Sequence, residues 1–154
     1  MDLTILNSKL DAIYLIDTYE SFIWTDRYCA YGDFELYSPM REGLLENLKL
    51  DYYIQNRASE HTMIIEKTLI SSDVEKGSTV TITGRSLESI LDRRIIWGQK
   101  TLSGNLQNGI KELITESIIN PSDANRKIDN IIFEDSTDTA ITELTLDAQY
   151  NVRI

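Results

Sequence analysis

Apolar and polar residues alternate in short runs through the first half of the chain, as they do in β-strands whose two faces differ. The polar turn Asn7-Ser8-Lys9 separates the first two runs, which predicts a β-hairpin. In a later run, Phe22 and Trp24 point to one side and polar residues point to the other. Pro39 ends the next run, because proline cannot donate a hydrogen bond to a β-ladder. These runs predict strands at 3–6, 12–16, 21–28 and 34–37.

A second group of strands follows one short helical segment. Leucines at 44, 45 and 48 lie at helical spacing within 42–48 and predict one or two turns of helix. In the long run that follows, Met63, Ile65 and Leu69 are predicted to share one face of a strand. Strands are predicted at 52–55, 61–71 and 78–83. Residues 1–84 therefore predict a small antiparallel β-barrel or sandwich.

The pattern changes to a helical period after Gly84. Ser86 is a candidate N-cap for a short helix. A second helix is predicted from Ser103 to Ile119, because its apolar residues at 106, 110, 113, 114 and 118 fall on one face. Asn120-Pro121 ends this helix, since the residue before a proline avoids the α region. Strands are predicted again at 128–133 and within 144–154.

These elements predict a mainly β protein with an α insertion, of the α+β class. A chain of 154 residues fits one domain. Within it we predict a strand-rich barrel part at 1–84, a helical insertion at 85–120 and further strands at 121–154. A chain of this length buries about 68–70% of its unfolded surface, which suffices for a core of its own.

Composition narrows the functions that this chain can have. Its 25 acidic and 15 basic residues leave a formal net charge of -10, which disfavours binding to nucleic acid through phosphate contacts. A single cysteine rules out an intrachain disulfide, and a single histidine rules out multi-histidine metal sites. The sequence has no signal-peptide pattern and no apolar run long enough for a membrane helix. We therefore expect no cofactor, no membrane anchor and no specific nucleic-acid partner.

No group of residues in the sequence forms a recognisable catalytic or metal-binding motif. Asp26, Asp33 and Glu35 flank an aromatic hairpin and could act as acid and base on a glycosidic bond, but the solvent face of a sheet is the favoured interpretation. His61 could be a general base, and a surface or strand-edge position is favoured instead. Cys29 is predicted to be a small buried residue rather than a reactive thiolate. We expect no catalytic, cofactor-binding or metal-binding residues.

Two arginines beside an apolar stretch form the most informative polar motif of the second half. Arg93 and Arg94 precede Ile95-Ile96 and Trp97. Arginine and tryptophan dominate the energetics of protein interfaces, so these residues are a candidate interface anchor. The alternative, which the sequence favours equally, is that the arginines form salt bridges with the acidic surface while Trp97 lies in the core.

Two blocks of sequence resemble a family of siphophage tail-tip proteins. The first block consists of ESFIWTDRY at 20–28, GDFELY at 32–37 and MIIEK at 63–67. The second and more specific block is GRSLESILDRRIIWG at 84–98, followed by Asn120-Pro121. Together they are similar to the N-terminal portion of the baseplate hub and tail-associated-lysin proteins of long-tailed phages and prophages. The resemblance extends to about Phe133.

The resemblance implies a structural role. Hub proteins of this kind form a trimeric ring of barrel domains that joins the tail tube to the tip. We therefore expect a non-enzymatic piece of a longer hub protein, made in the bacterial cytoplasm and located in the virion tail. The expected partners are other copies, as a homotrimer, and the distal tail or tube, tape-measure and tip proteins. The alternative is a module that binds or processes envelope carbohydrate through Trp24, Tyr28 and Tyr31.

Overall fold

The computed structural model describes residues 2–74, 77–96 and 100–152. The chain forms two compact units, Met1–Ile90 and Leu91–Ile154. The first unit carries most of the predicted strands, and the second carries the amphipathic helix. The assignment of all 154 residues to one domain stays a prediction.

In its described residues, the first unit is built on a seven-stranded antiparallel sheet with one short α-helix, α1, at Leu44–Asn47. Its strands are β1 Leu3–Leu6, β2 Ala12–Ile16, β3 Ser21–Thr25, β4 Asp33–Pro39, β5 Tyr53–Asn56, β6 Thr62–Asp73 and β7 Gly77–Ser86. Their order across the sheet is β2-β1-β5-β6-β7-β4-β3. The mainly β character and the predicted β1–β2 hairpin are confirmed.

The sheet is not closed into a barrel, so that part of the fold prediction is wrong. Six successive antiparallel pairings separate β2 from β3, which means that the two edge strands run in the same direction. Parallel neighbours need a crossover of about a dozen residues. Only residues 17–20 connect β2 to β3, and the two strands therefore follow each other end to end instead of pairing side by side.

The same short connection requires the sheet to curl. A flat sheet of seven strands would place its edge strands about 29 Å apart, at about 4.8 Å for each pairing. The connection from β2 to β3 reaches about 18 Å at most. The curled sheet encloses the core, whose members include Leu3, Ile5, Leu36, Ile54 and Ile82, all with 0% of their surface exposed. Phe22 and Trp24 pack against this core from β3, as the alternation predicts.

A β-bulge in β6 overturns the predicted face of Leu69. Ile65 pairs with Gly84 of β7, but the next pair along is Lys67 with Thr83, so Glu66 is an extra residue in the ladder. An extra residue reverses the alternation for the rest of the strand. Met63 and Ile65 are buried, whereas Leu69 lies beyond the bulge and is half exposed.

In its described residues, the second unit has a two-stranded sheet and two α-helices. The strands are β8 Lys100–Asn105 and β9 Thr145–Val152, and the helices are α2 Leu106–Ile114 and α3 Thr139–Thr142. A π-helical turn at Thr115–Ile119 continues α2, and a short 3-10 helix follows at Ala124–Arg126. The strand predicted within 144–154 is confirmed by β9.

Three predictions around the helical insertion are corrected. The segment 85–120 contains strand β8, and α2 begins after it at Leu106, where the Asn105 side chain accepts a hydrogen bond from the Asn108 amide. Residues Leu87–Arg93 form a 3-10 helix, and the Ser86 hydroxyl accepts a buried hydrogen bond from the Gly32 amide. Residues 128–133 are not a strand, because a turn at Asn130 with φ of 65° interrupts them.

Candidate interaction surfaces

A charged surface, which we call the Arg85 face, lies on the outer side of the sheet where β4, β6 and β7 meet. The bulge directs Glu66 toward Arg85, and the two side chains form a two-pronged ion pair with N–O distances of 2.7 and 2.9 Å. The Arg85 guanidinium also lies 4.9 Å from the centre of the Tyr31 ring. Hydrogen bonds to Glu66 and Tyr31 raise the pKa of Arg85 above its already high ordinary value. Arg85 is therefore a fixed cation that holds the loop after β3 against β7.

Besides Glu66, the Arg85 face carries the carboxylates of Asp33 and Glu35. Asp33 forms an ion pair with Arg27, and Glu35 lies next to it on the same outward face of β4. This outward position is the one that the alternation predicts for both acids. A hollow of 410 Å³ opens here, lined by Ile23, Asp33, Phe34, Glu35, Glu66, Thr83, Gly84 and Arg85. Its lining is mixed, since Ile23 and Phe34 lie beside the charged side chains.

Asp26 is held in a different setting from Asp33 and Glu35. Its carboxylate accepts hydrogen bonds from the Trp24 indole at 2.9 Å and from the Ser59 hydroxyl at 3.1 Å. These bonds tie the end of β3 to the turn that precedes β6. These structural hydrogen bonds therefore account for the carboxylate of Asp26.

His61 lies at the surface, immediately before β6. Its Nδ1 is 3.0 Å from a carboxylate oxygen of Glu88 in the 3-10 helix. Partial burial acts to raise the pKa of Glu88, but hydrogen bonds from Ser86, from its own backbone amide and from His61 outweigh it. The net effect is a pKa below the ordinary value of 4.5. The surface or strand-edge position favoured by the sequence is thus where His61 is found.

Glu88→Gln is expected to reduce the loss of stability that occurs as the pH falls. A carboxyl whose pKa is lower in the folded state stabilises the fold above its unfolded pKa of 4.5, and this contribution is lost as the pH falls through the lowered value. The wild type should therefore exceed Glu88→Gln in stability at pH 6, and the two should converge as the pH falls below the lowered pKa of Glu88. Urea unfolding at each pH measures this. If the unfolding free energies of the two proteins differ by the same amount at every pH, the prediction is contradicted.

The loop between β3 and β4 overturns the prediction for Cys29. Cys29 is exposed, because it lies in a bent segment outside both strands. Tyr28 beside it is fully exposed. The other two aromatics of the carbohydrate alternative are engaged within the unit: Trp24 packs 6.1 Å from Phe34, and Tyr31 stacks with Arg85.

An apolar groove, which we call the Leu91 groove, runs along α2 in the second unit. Its volume is 280 Å³, and it is lined by Leu91, Arg94, Ile96, Ile110, Leu113, Ile114, Ser117 and Ile118. Ile118 is buried, so it anchors the floor, while Leu91 and Ile110 at the rim are 51% and 40% exposed. The apolar stripe of α2 that the sequence predicts therefore has its outer part open to solvent.

Arg94 and Arg126 form a reciprocal clamp beside the Leu91 groove. Arg94 Nε donates to the backbone oxygen of Arg126 at 2.8 Å, and the Arg126 guanidinium donates to the backbone oxygen of Ile95 at 2.5 Å. Arg94 thus has a positioning role as well as a place in the groove wall. Arg93 is exposed, and Trp97 lies outside the described residues. The interface of Arg93, Arg94 and Trp97 stays a prediction.

Sequence reasoning missed both arginine contacts. Glu66 gave one signal, since it is a charged residue inside the apolar run of β6. The Arg94–Arg126 clamp joins residues 32 positions apart and had no local signal. Over the part of the chain that the structure describes, no three His, Cys, Asp or Glu side chains could together hold a metal ion. None of the helices described there is long and apolar enough to cross a membrane.

The family assignment comes from a match that spans almost the whole chain. Residues 2–152 match the family described as Siphovirus ReqiPepy6 Gp37-like protein. The chain belongs to this family. The resemblance to siphophage proteins is confirmed at this level, and the Gp37-like family indicates a phage structural protein, consistent with a virion component. No curated protein matches the chain.

Proposed function

We propose that this Gp37-like protein is a non-enzymatic structural component of the siphovirus tail tip or baseplate hub, where it joins the tail tube to the tip. The match to a siphovirus family over residues 2–152 is the observation that carries the proposal. The resemblance of residues 84–98 to hub proteins adds the tail-tip location. The expected partners are the distal tail or tube, tape-measure and tip proteins.

The Leu91 groove supports a role in protein assembly. Leu91 is 51% exposed, and Arg94 forms part of the same wall. Ile95, the next residue after Arg94, is 59% exposed. Apolar side chains beside arginine and tryptophan are the usual composition of an interface centre. We assign the contact between neighbouring subunits of a homotrimer to this groove, together with Arg93, Arg94 and Trp97.

The tail location is tested on virions. Gold-labelled antibodies raised against the chain should bind purified virions of the encoding phage at the tail end distal to the capsid. Labelling of the capsid, or absence of the chain from the virion proteins by mass spectrometry, would reject the proposal.

The subunit contact is tested separately, by light scattering of the purified chain. Arg93→Glu and Trp97→Ala should each lower the fraction of trimer by at least about tenfold, since hot-spot truncations cost about 2 kcal/mol or more. Arg57→Glu makes the same charge change at an exposed position of the first unit and should leave the trimer intact. If Trp97→Ala leaves assembly and stability unchanged, the proposed subunit contact is rejected.

A second candidate function, binding of envelope carbohydrate, rests on the full exposure of Tyr28. Tyrosine rings that project into solvent can stack on sugar rings. Retention of the chain on purified wall polysaccharide, lost in Tyr28→Ala, would favour this candidate over the hub. A chain that does not bind the polysaccharide excludes it.

A further inference from the structure

The distal half of β6 is an open strand edge. β5 pairs with β6 only from Thr62 to Ile64, and the last backbone bonds on that side join Ile65 to Tyr52 and Asp51 at 2.8 and 2.9 Å. Among the backbone hydrogen bonds of the described residues, those of 67–72 run to β7 alone. An unpaired edge of this kind is a template for another strand.

The side chains along this edge favour association with another strand. The five residues from Thr68 to Ser72 carry no charge and no proline. Leu69 and Ile70 lie on opposite faces beyond the bulge, and both are about half exposed, at 50% and 54%. A long, uncharged edge with exposed apolar residues favours association through β-pairing.

We infer that this edge pairs with the same edge of a second copy, antiparallel and centred on Ile70. A two-fold contact brings each residue of the edge opposite its own symmetric counterpart. In this register the opposing pairs are Ile70 with Ile70, Leu69 with Ser71, Thr68 with Ser72, and Lys67 with Asp73.

Charge complementarity favours a second copy as the partner, and within β6 it supports this register. Lys67 and Asp73 lie three residues on either side of Ile70, so the pairing forms two opposite-charge pairs at once. A shift of two residues in one direction places Asp73 opposite Ile65 and loses both pairs. A shift in the other direction places Asp73 opposite Leu69 and Lys67 opposite Glu75, which follows the last residue of β6. Charges on edge strands usually discourage pairing. Here opposite signs at symmetric positions attract a copy of the same edge.

Cross-linking tests the register directly. In a Cys29→Ser background, Ile70→Cys should form an intermolecular disulfide on mild oxidation, because directly opposed residues of antiparallel strands have Cα atoms about 4.5–5.5 Å apart. Thr68→Cys is the matched control, since it faces Ser72 and not itself, and should cross-link at least about tenfold more slowly. Equal rates at both positions, or no cross-link at 70, would overturn the inference.

Charge reversal tests the two ion pairs. Lys67→Glu and Asp73→Lys should each weaken the dimer by about tenfold in sedimentation equilibrium, because each places like charges opposite one another twice. The double variant Lys67→Glu/Asp73→Lys restores opposite charges and should recover wild-type affinity. A monomeric wild type, or a double variant as weak as the single ones, would reject the contact.

This inference does not rest on the proposed function. The subunit contact of the homotrimer is assigned to the second unit and responds to Trp97→Ala, whereas the β6 contact responds to Lys67→Glu. If Trp97→Ala loses the trimer but keeps the cross-link at residue 70, the result would support both the trimer contact and the β6 contact. A cross-link at 70 without a trimer would leave the β6 contact standing and count against the ring.

Discussion

Gly84→Ala is expected to destabilise the first unit by about 3 kcal/mol or more, and in the extreme to prevent it from folding. A Cβ atom at Gly84 would lie 1.7 Å from the backbone oxygen of Ile64 and 2.8 Å from the Phe34 ring. The ring could rotate, but the backbone oxygen belongs to β6 beside the bulge. Relief of the clash would separate β6 from β7 at the centre of the sheet.

Gly109→Ala is the matched control for this effect. At Gly109 in α2 an added Cβ would meet the Leu102 side chain at 3.7 Å, which is ordinary contact. Alanine is favoured over glycine within a helix by about 1 kcal/mol, so this variant should be more stable than the wild type. Urea unfolding of both variants measures the free energies. A Gly84→Ala protein as stable as the wild type would show that β6 and β7 are not paired as described.

Leu36→Ala is the second change with a large expected effect, a loss of about 2–5 kcal/mol of unfolding free energy. Leu36 lies in β4 and has 0% of its surface exposed. The truncation removes apolar burial and leaves a cavity within the curled sheet, where neighbouring strands limit collapse. Thermal and urea unfolding should both report the loss.

Leu15→Ala makes the same change on the other side of the sheet. Leu15 lies in edge strand β2 opposite Thr4 and is 54% exposed. Its truncation should cost less than about 1 kcal/mol, because little buried area is lost and no cavity forms. Similar losses for the two leucines would contradict the assignment of inner and outer faces.

Local sequence patterns predicted much of the first unit. The β1–β2 hairpin, the inward direction of Phe22 and Trp24, and the short helix α1 all depend on residues close together in the chain. For these elements, strand alternation and helical spacing were enough. The predictions failed at 128–133 and Ser86. The first is broken by the turn at Asn130, and the Ser86 hydroxyl bonds to Gly32, a residue 54 positions away.

The candidate surfaces were less predictable than the strands. Arg94 was singled out from composition, yet its bond to the Arg126 backbone depends on where the chain returns after α2. The pairing of Glu66 with Arg85 follows from the bulge, which alternation alone does not reveal. The open edge of β6 also depends on distant segments, since it exists because β5 is only four residues long and β6 is twelve.

The sequence by itself determined a mainly β, acidic phage-related chain, because alternation, charge and the 84–98 block are all properties of neighbouring residues. The tertiary structure decided that the sheet is open, that Leu69 faces outward and that Gly84 admits no side chain. These features depend on which strands meet and in what register. Register is a relation between distant segments, and the free energy that selects it comes from the packing of the whole sheet.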